Sequence, residues 1–205
     1  MTDRKALAGS AEEQIRSLLE KIESAAKAGV DWIQVREKDL SGRALAALVG
    51  EVLPRVPRTC RVLINDRLDL ACSVRAGGVH LGGKGLPADE AKRFVRERKL
   101  AGEFLVGVSA HSVEAARRAE QEGGDYVIFG PVYETPSKIA FGLPQGVDRL
   151  AEVCRSVAVP VFAIGGITME NVRDCGAAGA AGIAAIRLFQ DATDVAAVVR
   201  ALREV

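Results

Sequence analysis

The feature that most restricts this chain is its rhythm. Short runs rich in β-branched and aliphatic residues alternate with amphipathic helical stretches along the whole length. Ala11 to Gly29 places Ile15, Leu18, Leu19, Ile22 and Ala26 at helical spacing and stops on a glycine suited to a C-cap. Strands are predicted at Asp31–Arg36, Arg61–Asn65, Gly78–Leu81, Phe104–Val108, Tyr126–Gly130, Pro160–Ile164 and Gly182–Leu188. Helices are predicted between them at Ala44–Leu53, Leu68–Arg75, Pro87–Glu97, Ser112–Gly123, Gly146–Val157 and Thr168–Ala178, with a last one at Ala192–Val205. Strands separated by helices, with no linker and no break in composition, predict parallel βαβ units in one domain spanning 1–205.

Such units close into a barrel or stay open as a doubly wound sheet. Many of the strands end in polar or glycine residues: Gln34 and Arg36, Asn65 and Asp66, Ser109, Gly130, Gly165 and Gly166, and Arg187. An open sheet binds at one switch point, whereas a barrel gathers the ends of all its strands around one mouth. The α/β reading is therefore a TIM (β/α)8 barrel. Its first strand should precede the first helix, yet Thr2 and Asp3 stand where that strand would be ending. Either the first strand is truncated, or another segment fills its place.

Composition narrows the partners. The 28 basic and 27 acidic residues leave a formal net charge of +1, too weak a field to argue for nucleic acid or a membrane surface. No run reaches the length of about 18 apolar residues that spans a bilayer, and the N-terminus has no apolar targeting core. Cys60, Cys72, Cys154 and Cys175 are scattered without a C-x-x-C, and only two histidines occur, so a zinc site is not expected. Reduced cysteines and the absence of these segments predict a soluble, cytoplasmic protein. Whether it associates with further copies of itself is left open.

Five constellations carry chemistry. In Gln34-Val35-Arg36-Glu37-Lys38-Asp39, residues 34, 36 and 38 share one side if the strand continues, so an amide, a guanidinium and an ammonium point together. Both cations suit phosphate. Asn65 and Asp66 follow an apolar strand; the carboxylate could hold Mg²⁺, or equally cap the next helix. Ser109 and His111 lie near a strand end, but without a G-x-S-x-G elbow or an orienting acid Ser109 reads as a hydrogen-bond donor to substrate. Thr135, Ser137 and Lys138 fall within four residues of a polar loop and can wrap a phosphate. Gly165-Gly166 and, about 20 residues on, Ile186-Arg187 fit a phosphate held by backbone N–H groups after the last two strands. Two anion sites result: one at 166 and 186–187, the other from Arg36, Lys38, Asn65 and Lys138.

Taken together, Q-V-R-E-K-D, I-N-D-R-x-D-L-A, G-V-H-L-G, G-V-S-A-H-S, F-G-P-V-Y-E-T-P-S-K and A-I-G-G-I-T-x-E-N-V, in that order, resemble the thiamine-phosphate synthase superfamily over nearly the whole chain. The resemblance implies a TIM barrel that joins 4-amino-2-methyl-5-(diphosphooxymethyl)pyrimidine to a thiazole phosphate with release of pyrophosphate. It implies that Arg36, Lys38, Asn65 and Lys138 hold the diphosphate, with Gln34 lining that site. By the same resemblance Asp66 binds Mg²⁺, and Ser109 contacts the diphosphate and the pyrimidine. Thr135, Ser137 and the backbone of Gly166 and Ile186 would take the thiazole phosphate, and Arg187 could clamp a phosphate or narrow the pocket. Ser109, Lys138 and Arg36 would carry the catalytic weight.

The chain departs from that pattern. After G-V-H-L-G the family shows a glutamine, an acidic residue and a second metal-binding aspartate, where this chain has Gly83-Lys84-Gly85. A lost carboxylate beside an added lysine weakens a divalent site. A sister branch isomerises the thiazole phosphate without metal, and Phe129-Gly130 and Glu134-Thr135 resemble it. Its proton-transferring histidine would follow Gly130, where Pro131 stands; His111 is the nearest substitute in sequence. The synthase is the first reading, with the tautomerase or a non-catalytic binder of phosphorylated ligands as alternatives.

Overall fold

The computed structural model describes all residues except 101, 136–142 and 205. Seven strands lie in one sheet in chain order: β1 (Trp32–Val35), β2 (Arg61–Asn65), β3 (Gly78–Leu81), β4 (Leu105–Ala110), β5 (Tyr126–Phe129), β6 (Val161–Ile164) and β7 (Gly182–Ala184). The pairs β1/β2, β4/β5, β5/β6 and β6/β7 are parallel. The helices are α1 (Ala11–Lys27), α2 (Gly42–Val52), α3 (Leu68–Ser73), α4 (Ala88–Glu97), α5 (Val113–Gln121), α6 (Gly146–Ser156), α7 (Val172–Ala177), α8 (Arg187–Gln190) and α9 (Val195–Arg203). By contacts the chain divides into two compact units, residues 1–79 with 186–204 and residues 80–185.

In the first unit α1 is built as its sequence directs. The Ser10 side chain accepts from the Glu13 N–H while the Glu13 carboxylate accepts from the Ser10 N–H, a reciprocal cap of about 1 kcal/mol. Leu18, Leu19 and Ile22 form the buried stripe, each stabilising by roughly 1.5–3 kcal/mol. Gly29, with φ +96°, ends the helix as the periodicity predicts. Strand β1 registers Ile33 with Val62 and Gln34 with Leu63. Ile33, Gln34 and Val35 are all buried, as in a strand covered on both faces.

The edge of β1 away from β2 answers the question of the first strand. Thr2 donates its N–H to the Gln34 carbonyl (2.9 Å), and its Oγ1 accepts the Arg36 N–H (2.9 Å). Asp3 exchanges two bonds with the Gln190 side chain, N–H to Oε1 at 3.1 Å and Nε2 to its carbonyl at 3.0 Å. Residues 2–4 are too few to form a strand, and a 3₁₀ turn follows at once over Arg4–Ala6. They nevertheless satisfy backbone groups that an open edge would leave to water. A full eight-stranded barrel does not follow: the sheet has seven strands.

In the second unit the core is Val106, Val127, Phe129, Leu150, Val153 and Ala163, with α4 and α5 contributing Ala91, Val95 and Ala116. Gly107 on β4 has no room for a side chain, because a Cβ there would fall 1.9 Å from the Tyr126 ring. The last predicted strand is shorter than expected. It ends at Ala184, and Arg187 opens the four-residue α8 instead of closing a strand.

Candidate active site

In the first unit, β1 stops at Val35, so the alternation of residues 34, 36 and 38 is not carried by a strand. Gln34 is buried, Arg36 is half-buried and Lys38 is exposed in the turn that follows. The Gln34 Nε2 donates to Asn65 Oδ1 at 2.9 Å, and Asn65 Nδ2 donates to Asp66 Oδ2 at 2.7 Å, a relay across the ends of β1 and β2. The capping reading of Asp66 is not what forms: the residue before α3 is Arg67, with no side-chain cap, and Asp66 has φ +59°. A positive φ at a non-glycine residue is a costly backbone placement, although aspartate adopts it more readily than most.

The turn carrying Lys38 is fixed by a residue that the sequence reading did not single out. Arg4 Nη1 donates to Glu37 Oε2 (2.9 Å) and Asp39 Oδ1 (2.7 Å), and Nη2 donates to Asp39 Oδ2 (2.6 Å). The Arg4 N–H adds contacts to both Glu37 oxygens at 3.2 Å. The hydrogen bond from Arg4 holds the Asp39 carboxyl well below the usual carboxylate range. Also in this unit, Ile186 immediately precedes α8 and Arg187 is exposed at its first position.

In the second unit Ser109 is half-buried near the end of β4. Its histidine is not His111 but His80, on β3: Nε2 lies 2.8 Å from Ser109 Oγ, and Nδ1 lies 3.2 Å from the Tyr126 hydroxyl. His80 is 3% exposed and Tyr126 1%, so this chain runs through the core. Burial holds the Tyr126 phenol well above its ordinary value, and it keeps its proton. In the tautomer in which the phenol donates to Nδ1, the ring hydrogen is on Nε2 and donates to Ser109 Oγ; in the other the serine donates to the ring. His111 bonds instead through Nδ1 to the Gly130 carbonyl.

The glycine loop is built by close approach. Val132 and Tyr133 donate their N–H groups to the carbonyls of Ile164 (2.8 Å) and Gly165 (3.0 Å). A Cβ on Gly166, which has φ +64°, would meet the Glu134 carbonyl at 2.4 Å. Asn171 staples this turn, donating to the Gly166 carbonyl (3.0 Å) and accepting from the Thr168 N–H (2.8 Å). The Tyr133 hydroxyl donates to the Asn171 carbonyl at 3.2 Å, and burial raises that phenol to about 12. Thr135 is buried at 8% exposure. Ser137 and Lys138 lie outside the described residues. Gly166 falls in the second unit, Ile186 and Arg187 in the first.

For a metal the donor set is thin. Among the described residues no group of three or more His, Cys, Asp or Glu side chains could hold an ion. Asp66 is the carboxylate in the expected place. Gly85 donates its N–H to the Gly82 carbonyl in a tight turn, and a Cβ on Gly83 would stand 2.8 Å from the Ser109 carbonyl. A single carboxylate holds Mg²⁺ only together with substrate oxygens and water.

Comparison with known proteins identifies the family. The profile of the family described as thiamine monophosphate synthase matches residues 6–189. A putative thiamine-phosphate synthase of Geobacter sulfurreducens is 44% identical over 172 residues, covering 83% of this chain and 78% of the relative. The thiamine-phosphate synthase of Roseiflexus castenholzii is 40% identical over 207 residues, covering 100% of this chain and 86% of the relative. Among solved structures, thiamine phosphate pyrophosphorylase from Pyrococcus furiosus superposes with a TM-score of 0.80 at 30% identity, over 94% of this chain and 90% of that one. A 3-hexulose-6-phosphate synthase, at 18% identity and a TM-score of 0.72 over 93% of each chain, shares the fold. With its motifs in order and both its sequence and its fold matched over most of its length, the chain belongs to the thiamine monophosphate synthase family.

Proposed function

We propose that this protein is a thiamine-phosphate synthase, a transferase that joins 4-amino-2-methyl-5-(diphosphooxymethyl)pyrimidine to a thiazole phosphate and releases pyrophosphate. Family membership with relatives of that name at 40–44% identity carries the reading. The fold it implies is the TIM barrel. In the reaction the bond between the pyrimidine methylene and its oxygen breaks, and pyrophosphate leaves with the electron pair. The thiazole nitrogen then forms a bond to the methylene carbon.

This chemistry asks for charge against the departing pyrophosphate more than for a strong base. Arg36 offers a forked donor and Lys38 a mobile ammonium to the diphosphate, with Asn65 as an amide donor and Gln34 lining the site. Lys138, in the same role, completes the set. Ser109, held by His80 at 2.8 Å, would contact the leaving group or the pyrimidine. Thr135, Ser137 and the N–H groups at Gly166 and Ile186 would take the thiazole phosphate, with Arg187 beside Ile186 as a further cation. Mg²⁺, when bound through Asp66, would supply charge on the leaving group. The four free cysteines suit a cytoplasmic setting.

The test is direct. The two substrates are incubated with the protein with and without Mg²⁺, and products are read by mass spectrometry. Thiamine phosphate and stoichiometric pyrophosphate are expected. Turnover of the thiazole phosphate tautomer alone, or binding of both substrates without product, would overturn the synthase reading.

A further inference from the structure

We propose that Arg4 is a positioning residue of the diphosphate site: by occupying both carboxylates that flank Lys38, it leaves that ammonium, and a net positive turn, for an incoming diphosphate. The inference rests on the reading of Lys38 as a diphosphate ligand and adds to it the device that keeps Lys38 available. Taken alone, Arg36, Glu37, Lys38 and Asp39 sum to zero formal charge. A lysine set between two acids has anionic partners nearer than any substrate. In this fold neither acid pairs with it: Nη1 of Arg4 bridges Glu37 and Asp39, Nη2 takes the second Asp39 oxygen, and the Arg4 N–H covers Glu37. Lys5 adds a contact to Asp39 at 3.2 Å, so the six charged residues together are net positive.

The geometry explains why an arginine stands here. One planar group reaches two carboxylates with three short contacts, which a lysine's single point charge does not match. Arg4 is itself 7% exposed, so it does not serve as a phosphate ligand; it acts through Glu37 and Asp39. Glu37 is 5% exposed, and without Arg4 it would be a buried acid that has lost its partner, next in sequence to Arg36 and Lys38. Thr2 and Asp3, bonded to β1 and Gln190, flank Arg4, so the N-terminal segment reaches Gln34 and Arg36 through Thr2 and the Lys38 turn through Arg4 and Lys5.

The test is calorimetric titration of the full-length protein with inorganic pyrophosphate, with and without Mg²⁺. Thiazole phosphate serves as the control ligand. Arg4→Met is compared with the triple variant Arg4→Met/Glu37→Gln/Asp39→Asn, which removes the cation and both anions together. Arg4→Met is expected to weaken pyrophosphate at least about tenfold, the scale of uncompensated charge beside a bound anion, and to leave thiazole phosphate unchanged. The triple variant is expected to return pyrophosphate affinity to within about threefold of the wild type. Pyrophosphate affinity unchanged in Arg4→Met, or as weak in the triple variant as in the single one, would overturn the proposal. If Arg4→Met does not fold, Arg4→Lys, which keeps the charge but loses the bridging fork, takes its place; weakened pyrophosphate binding is expected and unchanged affinity would overturn the proposal. A wild type that binds no pyrophosphate overturns the diphosphate reading and this proposal together, whereas normal wild-type binding with no Arg4 effect overturns only the latter.

Discussion

One methyl group should have opposite consequences at two glycines. At Gly107 on β4, a Cβ would stand 1.9 Å from the nearest Tyr126 ring carbon, and 2.3 and 2.4 Å from two more. Ordinary contact begins near 3.5 Å, so the ring must retreat by roughly 1.5 Å. It is 1% exposed, stacked on His80 at 5.6 Å and edge-on to Phe162 at 5.7 Å, and has nowhere to go. Overpacking of this kind costs about 1–3 kcal/mol, and losing the hydrogen bond to His80 adds about 1. Gly107→Ala should therefore destabilise by about 3 kcal/mol, a fall in Tm of roughly 10 °C for a chain of this length. Gly50, exposed in the last turn of α2, has nothing within 4 Å of its added Cβ. Gly50→Ala should stabilise by about 0.5–1 kcal/mol through helix propensity. Urea unfolding followed by circular dichroism reads both signs. Because the Gly107 change also moves the Tyr126–His80–Ser109 chain, its kcat should fall at least about tenfold while Gly50→Ala stays at wild type. A Gly107→Ala protein within 1 kcal/mol of wild type would refute the packing argument.

Two further outcomes follow from the site. Asp39 has a folded-state carboxyl pushed below its ordinary value by Arg4, so its contribution to stability is complete above the unfolded value. It is lost as pH falls through the ordinary carboxylate range toward the lower folded value. Urea midpoints taken between about pH 6 and 3 should fall less steeply in Asp39→Asn than in wild type, and equal slopes would show that the pairing contributes nothing. Asn171→Ala removes both bonds that staple the Gly166 turn. It should raise KM for the thiazole phosphate about tenfold and leave that for the pyrimidine diphosphate in place; a parallel rise in both would show a general loss of structure.

What could be read in advance was whatever is local. The stripe of α1 and the glycine that ends it are adjacent in sequence, and they formed as periodicity and C-cap rules demand. The polar ends of β1 and β2 were legible because Gln34 and Asn65 interrupt apolar strands. The last strand was drawn too long because Ile186, Leu188 and Phe189 continue the apolar run, yet that stretch turns into α8. The partners of Ser109 and of the two acids flanking Lys38 were not legible. His80 lies 29 residues from Ser109, and Tyr126 a further 46 from His80; on a strand buried along its length no alternation marks which polar residue matters. Arg4 sits 33 residues from Glu37, outside any strand, where nothing in its neighbours announces an ion pair.

The two bonds between Asp3 and Gln190 join positions 187 residues apart. One compact unit thus draws on both ends of the chain, residues 1–79 and 186–204, with the other unit inserted between them. Synthesis delivers the pieces of that first unit far apart in time. While residues 80–185 are being made, α1 lacks the α9 partner that buries Val195 and Val199 against Ala25, and Asp3 waits for Gln190. The inserted unit has all its strands from β4 to β7 before the first unit can close. The first unit therefore closes only after the residues of the second have been made, and its closure carries the entropy of the loop between Asp3 and Gln190.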